Sequence, residues 1–92
     1  MYSILYSSKF RKQSKKIVGS GKYPREKIEY IINILASGIP LEPHLKNHKL
    51  HGKYNGMMEC HVIPNMLLVY EKDEEKRLII LMALGSHSEL FK

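Results

Sequence analysis

Hydrophobic and polar positions alternate with two different periods along this chain. At Ile28, Ile31, Ile32 and Leu35 the apolar residues recur at the spacing of one buried helical face. Pro24 precedes them as a helix N1 residue, and Gly38 followed by Pro40 stops the pattern. An earlier helix is predicted from Ser7 or Ser8, whose hydroxyls suit an N-cap, to about Val18, where Gly19, Ser20 and Gly21 end it. Its apolar seam is Phe10, Ile17 and Val18. Residues 2–6, 57–63, 67–72 and 78–84 are short and rich in aromatic, β-branched or other apolar side chains, and read as strands. In 57–63 the period of two sets Met57, Glu59 and His61 on one face, with Met58, Cys60 and Val62 on the other.

Punctuation between these elements constrains their pairing. Pro64-Asn65 and Asp73-Glu74-Glu75-Lys76 are turns short enough to make the last three strands antiparallel neighbours. Residues 39–56, with Pro43, Gly52 and Gly56, read as a long loop containing at most a short strand. Leu41, Leu45, Leu50 and Tyr54 argue that this loop is ordered. The order βααβββ predicts an α+β fold: an antiparallel sheet with two helices packed on one face and the other left for ligands, in one domain spanning residues 1–92.

Composition narrows the class. A chain of 92 residues with 43% apolar and 26% charged residues is globular with a thin core. Its longest apolar run, residues 78–84, is far too short to span a bilayer, and the N-terminus lacks a signal peptide's apolar stretch. The chain is therefore expected to be soluble and cytoplasmic, with no membrane partner. The single cysteine, Cys60, fits a reducing compartment. Residues 1–53 hold eleven Lys and Arg against three acids, whereas residues 54–92 hold four against six. A basic N-terminal half suits a nucleic acid or an acidic protein. Lys9, Lys12 and Lys16 lie at i, i+3 and i+7 on the first helix, which reads equally as a phosphate-tracking stripe or a solvated face.

The candidate chemistry lies in the histidines. Four of the five fall between His48 and His87, and imidazole exchanges protons near neutral pH. Metal-independent RNA cleavage needs a base for the 2′-hydroxyl, positive charge for the phosphorane and an acid for the departing 5′-oxygen. His48, His61 and His87 come from a loop, a strand and a post-strand tail that could meet at one end of a sheet. Taken alone, these residues leave catalysis and ordinary surface positions both open. His44 and His51 read as exposed loop residues. No cysteine pair exists and no predicted helix carries histidines at i, i+4 spacing, so neither a metal site nor a cofactor is expected.

Four runs then form an ordered set: Asn47-His48-Lys49-Leu50-His51-Gly52, Glu59-Cys60-His61-Val62-Ile63-Pro64-Asn65, Leu68-Val69-Tyr70, and Leu84-Gly85-Ser86-His87-Ser88-Glu89-Leu90-Phe91. Together with Ile39-Pro40-Leu41, this set resembles the YafQ branch of the RelE toxin superfamily over nearly the whole chain. The resemblance implies a microbial-ribonuclease-like fold and the toxin of a bacterial type II toxin-antitoxin system. Such a toxin is a ribosome-dependent endoribonuclease that cuts mRNA in the A site and is neutralised by an antitoxin with an acidic, flexible segment. By matching position, His48 and His61 belong to the catalytic face, His87 is the general acid, and Phe91 lies near the scissile nucleotide.

The chain departs from that pattern at four positions. Asn65 stands where the family has an acid, Met66 where an aromatic or another apolar residue is usual, and Met58 at a position often basic. Ala83 occupies the place of a phosphate-binding arginine. Either lysines such as Lys46, Lys49 or Lys53 supply the missing charge and the activity is weakened or rewired, or the position was altered to allow expression of a toxic protein. The alternative is a catalytically silent module of the same fold that binds ribosome or antitoxin. A small DNA-binding protein has less support, since no glycine-turned helix pair is visible.

Overall fold

A computed structural model describes residues 1–91, apart from the side chain of Lys53. Strand β1 is Ser3–Tyr6, followed by α1 at Ser8–Gly19 and α2 at Arg25–Ser37. Ser7 caps α1, its Oγ accepting from the Phe10 amide at 3.1 Å. Pro24 is the residue before α2 rather than its first turn, and Gly38 ends that helix with φ of 83°. That left-handed conformation favours glycine, and a Cβ there would also meet the Tyr2 ring at 3.3 Å. Ile28, Ile31 and Leu35 are buried as their spacing predicts. Val18, expected in the α1 seam, is instead 45% exposed, in the last turn of a helix that ends at Gly19.

The segment between α2 and the later strands is ordered through its buried anchors Leu45, Leu50 and Tyr54. It holds 3-10 turns at Pro43–Leu45 and Gly52–Tyr54, with the two-residue strand β2, His48–Lys49, between them. Asn47 ties it down, its Nδ2 donating to the Glu59 carbonyl and the Tyr70 hydroxyl. Then come β3 at Met58–Ile63, β4 at Met66–Asp73 and β5 at Leu78–Gly85, closed by a short helix α3 at His87–Leu90.

The sheet runs β1-β5-β4-β3-β2. The tight turns make β3, β4 and β5 antiparallel, and β2 adds antiparallel to β3. The expectation of an antiparallel sheet fails at one edge, where β1 pairs parallel to β5. A tight turn dictates direction only between consecutive strands, and β1 meets its partner across the whole intervening chain. Val69 opposes Ala83 while Tyr70 opposes Leu81, so Met82 is an extra residue, a β-bulge.

Both predicted helices cover one face, where Phe10, Ile28, Ile31 and Leu35 pack with Cys60, Leu68, Ile79 and Leu81. Each fully buried aliphatic side chain contributes about 1.5–3 kcal/mol. The opposite face is not left open as expected. Leu50 and Tyr54 from the loop and Leu90 from α3 form a second cluster over Leu67, Val69 and Ala83. The cause lies in β4, whose residues Met66, Leu67, Leu68, Val69 and Tyr70 are all buried, so both of its faces require cover.

Among the described residues no helix is long and apolar enough to cross a membrane. Burial gives the core a pH signature. It pushes the Cys60 thiol from 9.0 up to about 12, and burial, opposed by the Asn47 hydrogen bond, pushes the Tyr70 phenol from 10.0 up to about 12. Folded pKa values above the unfolded ones mean that this stability is fully present below pH 9.0 and is lost as pH rises toward about 12. Denaturant unfolding at rising alkaline pH should show a steady fall in stability, and Tyr70→Phe should flatten its upper part. An unaltered slope in that variant would remove Tyr70 as a cause.

Candidate active site

Register across the sheet decides which side chains meet. Directly opposed residues on neighbouring strands point to the same face. His48 opposes Glu59, Glu59 opposes Val69, and Val69 opposes Ala83. Since Val69 and Ala83 belong to the second cluster, this whole row lies on the face away from α1 and α2. A parallel row runs from His61 through Leu67 to Gly85, two residues before His87. The expected separation of Glu59 and His61 from Cys60 and Val62 is observed.

Two imidazoles converge on one buried carboxylate. The Nε2 atoms of His48 and His61 stand 3.6 and 3.4 Å from the same oxygen, Glu59 Oε1. The Glu59 side chain is 5% exposed, against 51% for His48 and 27% for His61, so the acid lies beneath and the rings face solvent. His48 Nδ1 donates to the Lys46 carbonyl at 2.7 Å, which turns Nε2 toward Glu59. A carboxylate held in this way orients imidazoles for proton transfer. The sequence pattern marks Glu59 only as a facial neighbour of His61. Its contact with His48 needs the two-residue pairing of β2, which no local pattern announces.

The third imidazole reaches the same face by another route. His87 is exposed at the start of α3, and Leu90 at its end is buried in the second cluster. Thus the expected post-strand tail is a helix. Its signal was present: Ser86 and Glu89 form a capping box, with the Ser86 hydroxyl accepting from the Glu89 amide and the Glu89 carboxylate accepting from the Ser86 amide. The His87 ring lies 4.9 Å from that of Phe91, which stands edge-on to Tyr54 at 5.4 Å. With strands about 4.8 Å apart, two strand spacings separate the His61 and Gly85 backbones by roughly 10 Å.

The remaining candidates are scattered. Asn65 is exposed in the β3–β4 turn, and Ala83 is 0% exposed inside the second cluster. Lys9, Lys12 and Lys16 are exposed along α1. Lys49 follows His48 in β2 and opposes Met58, which packs on the helix-side core, so neither residue shares the histidine face. Lys46 is exposed at the end of a 3-10 turn. The side chain of Lys53 lies outside the described residues. His44 and His51 are exposed loop residues, as expected. A cleft of about 490 Å³ between α2 and the end of β3, with Tyr30, Leu45 and Ile63 in its wall, touches the site at His61 and Lys46. Buried and held neutral, Cys60 offers no nucleophile. Among the described residues no group of three or more His, Cys, Asp or Glu is arranged to hold a metal ion.

Known proteins share both the sequence and the architecture. The Escherichia coli K12 protein named mRNA interferase toxin YafQ is 29% identical over 89 residues, covering 96% of this chain and 94% of its own. The crystal structure of a copper-bound mutant toxin from Helicobacter pylori superposes with a TM-score of 0.90 at 34% identity, covering 99% of this chain and all of that one. A YafQ chain in the E. coli DinJ-YafQ complex superposes at 0.88 with 28% identity and full coverage of both chains. Residues 2–92 match the family described as bacterial toxin of type II toxin-antitoxin system, YafQ. The chain therefore belongs to the YafQ family of type II toxins.

Proposed function

We propose that this chain is a ribosome-dependent endoribonuclease that cuts mRNA in the A site, and that its cognate antitoxin restrains it. The observation that carries this reading is the convergence of His48 and His61 on buried Glu59, on the sheet face that also bears His87. In the proposed reaction His61, oriented by Glu59, takes the proton of a ribose 2′-hydroxyl as that oxygen bonds to phosphorus. The bond from phosphorus to the 5′-oxygen breaks, and His87 gives the departing oxygen a proton. The products are a 2′,3′-cyclic phosphate and a free 5′-hydroxyl. Each proton transfer contributes typically 10²- to 10⁴-fold. Phe91, half-buried beside His87, stacks near the scissile nucleotide. Asn65, an amide, holds substrate without acting as a base.

The ribosome supplies the rest. Holding message in line for attack contributes several kcal/mol, so isolated RNA is cut poorly. Lys12 and Lys16 on α1, with Lys46 beside the site, follow the phosphates of ribosomal or messenger RNA. The same cations attract an acidic, flexible antitoxin segment. The E. coli relative is known in complex with DinJ, and here copurification with a small acidic protein is expected. Work on ribosomes implies a cytoplasmic location.

Purified ribosomes programmed with a defined message provide the test. The wild-type chain should cut the message, and Glu59→Ala, which frees both imidazoles, should slow cutting by roughly 10²-fold, the cost of misplacing a catalytic group by about 1 Å. If wild-type protein binds in a salt-sensitive way and leaves the message whole, the chain is a binding module instead.

A further inference from the structure

Phosphorane formation concentrates negative charge, and among the described residues few cations stand on the histidine face to meet it. Position 83 carries only a methyl group, Lys49 shares its face with Met58, and Lys46 stands on the β3 side of the site. One cation is tied into the aromatic chain that ends at His87. Lys9 Nζ donates to the Tyr54 hydroxyl at 2.8 Å and lies 5.3 Å from the centre of that ring. Tyr54 meets Phe91 edge-on, and Phe91 packs on His87.

The route by which Lys9 arrives is built into the sheet edge. β1 pairs with β5 only as far as Leu81, which leaves the bulge at Met82 and the residues after it without a strand neighbour on that side. The start of α1 fills the vacancy. Ser7 Oγ donates to the Met82 carbonyl at 3.1 Å, and the Leu84 amide donates to Gln13 Oε1 at 2.8 Å. Lys9 projects from the turn clamped between these two anchors, on either side of Ala83. Its ammonium thus reaches around the edge from the helix side to the histidine face.

We propose that Lys9, held against Tyr54, is the cation that stabilises the phosphorane during RNA cleavage, a catalytic role rather than one of surface tracking. This rests on the nuclease reading above. Lys9 keeps its proton throughout: the 2′-oxygen to phosphorus bond forms, the 5′-oxygen bond breaks, the proton leaves to His61 and another arrives from His87. Lysine contributes charge and a hydrogen bond to the non-bridging oxygens.

Single-turnover cleavage on programmed ribosomes separates this role from others. Lys9→Met should lower the rate at saturating ribosomes by about 10²-fold, the usual cost of a preorganised donor to a developing oxyanion. Lys9→Arg should recover most of it, and Lys22→Met, removing an exposed cation in the turn after α1, should leave it unchanged. A Lys9→Met protein that loses only affinity, with a salt slope smaller by about one and a normal saturating rate, overturns the inference. So does loss of rate accompanied by lowered thermal stability that arginine fails to restore. A wild-type chain that never cuts the message removes the nuclease reading and this inference together, whereas normal cutting by Lys9→Met removes the inference alone.

Discussion

His87→Ala is expected to slow message cleavage on programmed ribosomes by about 10²- to 10⁴-fold, the range for a positioned proton donor, with ribosome affinity nearly unchanged. The expectation is specific because the ring of His87 carries little of the local structure. Helix α3 is held by buried Leu90 and by the Ser86 and Glu89 capping box, neither of which uses the imidazole. The loss is confined to the contact with Phe91 and to the proton the ring supplies. Measuring cleavage and affinity on the same preparation is decisive. Equal losses in both would assign His87 to docking and leave the 5′-oxygen without its acid.

Replacing Ala83 with Arg should do two opposite things. The residue is enclosed in the cluster that contains Leu50, Tyr54, Leu67, Val69 and Leu90. Adding a long side chain there overpacks the roof and should cost about 1–3 kcal/mol. For a domain of this size each kcal/mol lowers the melting temperature by roughly 4–8 °C. The stem of an arginine can nevertheless pass along apolar surface and bring its guanidinium to the rim. That charge would lie in the row of Val69, Glu59 and His48. Cleavage and cellular toxicity should rise, up to the order of 10²-fold that a preorganised donor supplies. A lower melting temperature with unchanged cleavage would make position 83 a packing position only.

The same physics explains how far local patterns reach. Ile28, Ile31 and Leu35 encode α2 because residues three and four apart share a helical face whatever surrounds them. Pro64-Asn65 and the turn after Asp73 encode antiparallel pairing of β3, β4 and β5, since a short connection permits no other direction. Met66, Leu67, Leu68, Val69 and Tyr70 encode cover on both faces, although alternation alone implied an open one. Ser86 and Glu89 encode the start of α3, a signal hidden by reading the segment as a tail.

What the sequence determined by itself is therefore helices α1 and α2, strands β1, β3, β4 and β5, the adjacency of the last three strands, and the shared face of Glu59 and His61. The tertiary structure alone decided that β1 joins β5 in parallel, that His48 meets the same carboxylate as His61, and that Lys9 reaches Tyr54 around the sheet edge. The first group depends on interactions between residues two to four apart or joined by a tight turn. The second depends on strand order and register between segments from 11 to 75 residues apart, as in the pairs His48 with Glu59 and Ser3 with Leu78. Only the burial of the whole chain selects among the ways those distant segments could meet.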